Sequence, residues 1–86
     1  MVTKEEIFEK VKTTLIDDFE IEDDEVVLDA HIYKDLDLDS LDAIDLMVTL
    51  DKQLGIETKP EAMKNLATID DVCGFIVDTV AAKENG

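Results

Sequence analysis

Apolar residues recur at helical spacing in three stretches of this chain, and this pattern limits the fold more than any other feature. In the first stretch Ile7, Val11 and Leu15 lie four residues apart, so they share one face of a helix. A capping box of the form T-x-x-E comes just before them and is typical of a helix start. A first helix is therefore predicted over about residues 4–17.

Capping residues mark the other helices. Asp39 is a good N-cap and Gly55 is a common stop signal, so a second helix is predicted between them. Pro60 favours a short third helix over about 60–65, because proline suits the first helical position. A fourth helix that ends near residue 82 is predicted from the apolar stripe of Ile69, Val72, Cys73, Ile76 and Val80.

The predicted fold is all-α: one domain over residues 1–86, a small four-helix bundle with three long helices and one short third helix. A long first loop, about residues 18–38, connects the first two helices. Loops of this length in compact domains carry function or short structure of their own. We expect it to be anchored by apolar residues that dip into the core, namely Phe19, Val26, Val27, Leu28, Ile32 and Tyr33.

The charge balance narrows the classes of partner. The chain has 23 acidic and eight basic residues, a formal net charge of −15. Such a field repels nucleic acids and anionic membranes and favours basic patches on other proteins. Repulsion between copies favours a monomer. No apolar run approaches ~20 residues and the N-terminus lacks a signal-like stretch, so a cytoplasmic location is expected.

Ser40 is the single serine of the chain. It lies in D-L-D-L-D-S-L-D-A-I-D-L at the start of the second helix, with Asp39 and Asp42 beside it and no base nearby. A hydroxyl in this setting is a poor nucleophile but a good exposed target for another enzyme. We interpret the chain as a carrier that holds a covalent group on Ser40.

The second helix has two apolar faces, whereas an amphipathic helix needs only one to face a core. We interpret the second face as a docking strip for a basic-rimmed pocket on a partner enzyme. The simpler alternative is that its apolar residues are ordinary scattered surface residues. The docking strip and its acidic border consist of Leu41, Asp42, Ile44, Asp45, Val48 and Asp51.

The triplet Asp39-Ser40-Leu41 resembles the hallmark of acyl carrier proteins of the fatty-acid and polyketide type. The resemblance extends to segments 30–36, 50–56 and 68–70 and covers nearly the whole chain. It implies that Ser40 carries 4′-phosphopantetheine covalently, with Asp39 and Leu41 beside the attachment point. It also implies that acyl groups travel on this arm as thioesters.

The resemblance further implies a non-catalytic protein whose second helix docks on its partners. These are a phosphopantetheinyl transferase (holo-acyl-carrier-protein synthase), ketosynthases, acyltransferases and related acyl-processing enzymes with basic patches. Departures leave the pathway open. Asp37 stands where many members have glycine, and Thr58 and Lys64 stand where isoleucine and an acid are usual.

Two binding alternatives are weaker. An unmodified acidic adaptor would use the same docking strip, and only modification of Ser40 distinguishes the two. A calcium-binding EF-hand matches Asp35, Asp37 and Asp39, but its sixth position is Ser40 rather than glycine and its twelfth is Leu46 rather than glutamate. Weak electrostatic binding of divalent cations is the more plausible form of that alternative.

Catalysis is disfavoured by the scarcity of reactive groups. His31 is the single histidine and lies in the loop, with no glycine-rich turn near it. Cys73 belongs to the apolar stripe of the fourth helix, where a buried structural thiol is expected. The sequence therefore predicts no catalytic residue and no metal ligand.

Overall fold

The computed structural model describes residues 3–85, which form three α-helices. They are α1 (Lys4–Phe19), α2 (Ser40–Leu54) and α3 (Ile69–Asn85). Two short 3-10 helices lie in the connections, at Asp23–Glu25 and at Pro60–Asn65. Within the described residues, no helix is long and apolar enough to cross a membrane.

The all-helical class is confirmed, but the bundle has three α-helices instead of four, because the predicted short third helix is a 3-10 helix. The segment Pro60–Asn65 is a 3-10 helix, in which each hydrogen bond spans three residues rather than four. The Ala62 N–H donates to the Lys59 carbonyl at 2.8 Å, and the Leu66 N–H donates to the Met63 carbonyl at 3.1 Å. Six residues form too few i to i+4 hydrogen bonds to offset the cost of starting an α-helix. The bundle therefore has three α-helices, with this second 3-10 helix packed beside α2.

Helix α1 runs two residues beyond the predicted end. It starts at the N-cap Thr3, whose Oγ1 accepts the Glu6 N–H at 3.2 Å. It stops where Glu20 takes a left-handed conformation (φ 57°) and donates its N–H to the Leu15 carbonyl. The Ile21 N–H reaches the same carbonyl at 3.1 Å, so two N–H groups beyond the last turn share one free carbonyl and the helix ends without a glycine.

Helix α3 begins with a capping arrangement between Thr68 and Asp71. The Asp71 N–H donates to Thr68 Oγ1 at 3.1 Å, and Asp71 Oδ2 accepts the N–H groups of Ala67 and Thr68, each at 3.1 Å. These backbone donors hold the pKa of Asp71 below its usual range. The helix continues to Asn85, past the predicted end near residue 82.

The apolar stripes predicted for the first and last helices lie in the core. The stripe of α1 is fully buried, and so are Ala43, Leu46, Met47 and Leu50 of α2. The predicted stripe of α3 is buried along its whole length. Helices α1 and α2 are also linked by a polar contact, because Gln53 Nε2 donates to Thr14 Oγ1 at 3.0 Å.

The long loop contacts the core at four of the six predicted residues, and three others are buried in it. Val26 and Ile32 are buried and Phe19 and Tyr33 are half-buried, as expected, but Val27 and Leu28 are 46% and 44% exposed. The reason is a tight turn, in which the Ala30 N–H donates to the Val27 carbonyl at 3.0 Å and brings these side chains to the surface. The loop residues that were missed as core members are Ala30, Leu36 and Leu38.

The same loop is joined to the start of α3 by backbone hydrogen bonds. The Ile32 N–H donates to the Ala67 carbonyl at 2.8 Å, and the Ile69 N–H donates to the Ala30 carbonyl at 3.0 Å. His31 and Thr68 form an isolated antiparallel bridge at this point. These bonds therefore fix residues 30–32, which precede Ser40 in the chain, to the start of α3.

Candidate functional site

Ser40 is the first residue of α2 and is exposed. The chain leaves the core just before it, since Leu38 is buried and Asp39 is exposed. Between Leu36 and Leu38 the backbone turns at Asp37, which takes a left-handed conformation with φ 56°. Aspartate tolerates this region better than most residues, so the turn keeps a geometry that favours glycine although it contains none.

A complete capping box fixes the start of α2. Asp39 Oδ1 accepts the Asp42 N–H at 2.8 Å, and Asp42 Oδ2 accepts the Asp39 N–H at 3.4 Å. The first N–H groups of a helix have no intrahelical partner. The box satisfies that of Asp42, so the N–H groups of Ser40 and Leu41 are the ones available to a ligand at this end.

The start of α2 suits a phosphate ester on Ser40. The hydroxyl is open to a modifying enzyme, and the positive end of the helix dipole favours an anion beside it. Asp39 and Asp42 oppose this with their charge, although each carboxylate is hydrogen-bonded to a backbone N–H. The residues present therefore fit the phosphodiester of 4′-phosphopantetheine.

The docking strip is exposed to different degrees. Leu41 is 75% exposed, the largest exposure among the large apolar residues described. Ile44 and Val48 are half-buried, and neither packs against the buried core. Of the acidic border, Asp45 is exposed and Asp42 is half-buried. The structure thus brings the predicted strip together on one helix next to Ser40, with Leu41 as its most accessible side chain.

Asp51 differs from the other border residues because its carboxylate has a partner. Thr58 Oγ1 lies 2.9 Å from both carboxylate oxygens, and the Thr58 N–H donates to Oδ2 at 3.1 Å. This contact ties the connection after α2 back onto the helix. Sequence reasoning noted Thr58 only as a departure from the family pattern, and the two residues are too far apart for a local motif to reveal their contact.

Tyr33 makes a second contact to the same region. Its hydroxyl donates to the Met63 carbonyl at 3.0 Å, and the Met63 side chain is fully buried. The second 3-10 helix is therefore held from one side by the loop and from the other by the end of α2.

His31 and Cys73 are occupied by structural roles. His31 Nδ1 accepts the N–H groups of Tyr33 and Lys34, each at 3.2 Å, and Asp35 accepts the His31 N–H at 2.7 Å. The histidine thus organises its own loop. Cys73 is fully buried, and burial raises the pKa of its thiol to about 11. In residues 3–85, no group of three or more His, Cys, Asp or Glu side chains is arranged to hold a metal ion.

Comparison with known proteins agrees with this site. Residues 9–76, which include Ser40, match the family model described as a phosphopantetheine attachment site. The chain is 37% identical over 81 residues to acyl carrier protein 2 of Ralstonia nicotianae, covering 94% of this chain and 100% of that protein. It is 35% identical over 75 residues to an acyl carrier protein of Petrotoga mobilis, with 87% and 88% covered.

A solved structure shows the same fold. The acyl carrier protein from Enterococcus faecalis superposes with a TM-score of 0.72 at 28% sequence identity, over 91% of this chain and 99% of that one. The chain therefore belongs to the acyl carrier protein family, whose cofactor is 4′-phosphopantetheine. The relatives are carriers of acyl groups rather than catalysts.

Proposed function

We propose that Ser40 Oγ is the attachment point of 4′-phosphopantetheine, on which the chain carries acyl groups to fatty-acid or polyketide-type biosynthetic enzymes. The observation that carries the proposal is the position of the single serine, exposed at the first residue of α2. The bound arm supplies a terminal thiol that holds the acyl group as a thioester. The proposal treats residues 1–86 as one domain, and the radius of gyration of 11.8 Å supports this, because about 12 Å is expected for a compact domain of this length.

The residues around Ser40 have separable roles in this proposal. Asp39 fixes the helix start through the capping box, so the serine is presented in one backbone conformation. The N–H groups of Ser40 and Leu41, at the positive end of the helix dipole, would stabilise the negative charge of the phosphate. Leu41 offers an apolar contact immediately beside the attachment point.

The docking strip is the proposed surface for the partner enzymes. These are a phosphopantetheinyl transferase, ketosynthases and acyltransferases with basic patches. A net charge of −15 would speed the encounter with such patches. Leu41, Ile44 and Val48 supply the apolar contact, and Asp42 and Asp45 the flanking charge. The role of Asp51 is to border the strip while it holds Thr58.

The test is the intact mass of the protein before and after incubation with coenzyme A and a broad-specificity phosphopantetheinyl transferase. We expect the wild type to gain one phosphopantetheine and Ser40→Ala to gain none. Thr13→Ala, which removes an exposed hydroxyl from α1, is the matched control and should be loaded fully. If folded, unmodified wild type gains no mass, the chain acts instead as an unmodified acidic adaptor.

A further inference from the structure

A groove lies on the side of α1 where the exposed loop residue Leu28 meets the first turns of the helix. It is open to solvent and has a volume of about 810 Å³. None of its residues belongs to α2 or to the docking strip. The side chains that matter to its chemistry are Phe8, Leu28, Lys4, Glu5, Glu6 and Glu9.

Contacts to α3 hold the two sides of this groove in place. The Asp70 N–H donates to the Leu28 carbonyl at 2.8 Å, which fixes the loop. The Asp70 carboxylate forms an ion pair with Lys4 on α1, and the hydrogen bond that Lys4 donates to this carboxylate raises the pKa of the lysine. Both sides of the groove are thus tied to one residue of a third element, and the concave surface is formed before any ligand arrives.

The groove combines an apolar floor with an acidic rim. Phe8 is half-buried and Leu28 is 44% exposed, so both present apolar surface to solvent. The rim residues Glu5, Glu6 and Glu9 are exposed. Two lysines lie at the groove, and each is paired with an acid. Lys4, which lines it, pairs with Asp70. Lys12, whose Nζ lies 6.0 Å from the centre of the Phe8 ring, pairs with Asp23 at 2.8 Å.

This chemistry selects among the possible occupants. A second copy of the chain is opposed by a net charge of −15 on each molecule. Anionic lipids and nucleic acids are opposed in the same way. A helix with an apolar face flanked by lysine or arginine complements both the floor and the rim.

We infer that this groove is a second docking site, separate from the docking strip, for a basic amphipathic segment of a partner protein. The apolar face of the segment packs on Phe8 and Leu28, and its basic residues lie against Glu5, Glu6 and Glu9. A partner bound in this way contacts α1 and the loop, and leaves Ser40 and α2 free for another enzyme. The inference goes beyond the carrier role and does not depend on it.

The experiment titrates the 15N-labelled full chain with a synthetic amphipathic peptide of leucine and lysine, about 18 residues long. Chemical-shift changes are followed at each backbone amide. A peptide of equal charge, with serine in place of leucine, measures the purely electrostatic attraction. We expect the leucine peptide to shift the amides of Phe8, Leu28 and their neighbours most, at salt concentrations where the serine peptide does not bind.

Matched variants separate the groove from general acidity. Leu28→Ser should weaken binding about fivefold, or about 1 kcal/mol. Val27→Ser should stay within about twofold, because Val27 is equally exposed but does not line the groove. Glu5→Gln with Glu9→Gln should also weaken binding, whereas Glu57→Gln with Glu61→Gln, at the same net charge, should not. Both serine variants should still accept phosphopantetheine at the wild-type rate if Ser40 is the attachment point.

Several results would overturn the inference. Shifts spread evenly over the acidic surface, or confined to the docking strip, would mean that the groove binds nothing of this class. Equal effects of Leu28→Ser and Val27→Ser would mean the same. Nuclear Overhauser contacts from Val2 to Leu28 in the free protein would identify the start of the chain as the occupant. A dimer in sedimentation that Leu28→Ser dissociates would identify a second copy.

Discussion

At the scale of single residues, Glu20 and Asp37 set the direction of the backbone at the two ends of the loop between α1 and α2. Both lie in the left-handed region, at φ 57° and 56°, without being glycine. A side chain costs roughly 1–2 kcal/mol there, and less for aspartate. Residue type alone predicts neither, because left-handed positions are assigned mainly from glycine and asparagine, but the family resemblance marks Asp37 as a position where glycine is common. The sequence could predict the N-cap Asp39, because aspartate before an amphipathic stretch has a direct physical meaning.

Replacing Glu20 tests the cost of its conformation. Glu20→Gly should raise the free energy of unfolding by about 0.5–1 kcal/mol, because glycine adopts positive φ without steric cost. It also removes a negative charge from the end of α1, whose last turn has no basic residue. Urea denaturation at constant ionic strength measures the change.

Glu22→Gly is the matched control for this substitution. It removes the same charge nearby, but Glu22 has φ −70°, so glycine brings only added freedom to the unfolded chain. We expect unchanged or lower stability. Equal stabilisation by both variants would show that charge, and not backbone conformation, is responsible.

At the scale of elements, the second 3-10 helix shows where sequence reasoning reached its limit. Pro60 correctly indicated a helical start, but it does not distinguish an α-helix from a 3-10 helix. Side-chain hydrogen bonds to other parts of the chain hold this region in place. The Tyr33 hydroxyl donates to the Met63 carbonyl, and the Thr58 hydroxyl donates to Asp51 just before the element. Contacts between residues so far apart leave no periodic signal. The apolar stripes of α1 and α3 do leave a periodic signal, and the sequence predicts both.

Removing the Thr58 hydroxyl tests the contact after α2. Thr58→Val keeps the side-chain shape and the backbone N–H bond to Asp51 but removes the hydrogen bond from the hydroxyl. It should lower the free energy of unfolding by about 1 kcal/mol. Thr13→Val, on the exposed face of α1, should change it by less than about 0.5 kcal/mol. Thermal melts followed by circular dichroism compare the two. A loss no larger at Thr58 than at Thr13 would show that the contact contributes nothing to stability.

Leu41 is the residue of α2 whose docking role is most cleanly tested, because Ile44 and Val48 are half-buried. Leu41→Ser should change stability by less than about 0.5 kcal/mol. It should slow loading by a phosphopantetheinyl transferase about tenfold, the size of effect typical of a central interface residue. Single-turnover loading followed by intact mass gives the rate. Val27→Ser should load normally, and an equal slowing there would argue against a specific strip.

At the scale of the whole molecule, the net charge of −15 is the property that the sequence predicts most directly. It follows from composition and needs no fold. The structure adds where the charge is concentrated. The end of α1 brings Asp17, Asp18 and Glu20 together, next to the acidic 3-10 helix Asp23–Glu25. Mutual repulsion between these carboxylates should lower the free energy of unfolding, and the loss should shrink as added salt screens the charges.

Salt should therefore stabilise the protein. Raising sodium chloride from about 0.01 M to 0.5 M shortens the screening length from roughly 30 Å to below 8 Å. If screening returns about 1 kcal/mol, the melting temperature rises by about 4–8 °C. Calorimetry across this range measures it, with sodium sulfate and sodium chloride at equal ionic strength as a check on ion-specific effects. A melting temperature indifferent to ionic strength would count against the repulsion.

The burial of Cys73 has a practical consequence for chemical labelling. Its thiol, on α3, is buried in the core and protonated at neutral pH. A maleimide dye reacts with exposed thiolates, so it should label Cys73 of the folded protein very slowly. The terminal thiol of a phosphopantetheine arm on Ser40 would be in solvent and reactive. The dye-to-protein ratio of a native sample would then count the unacylated arms directly, with no need to mutate the cysteine.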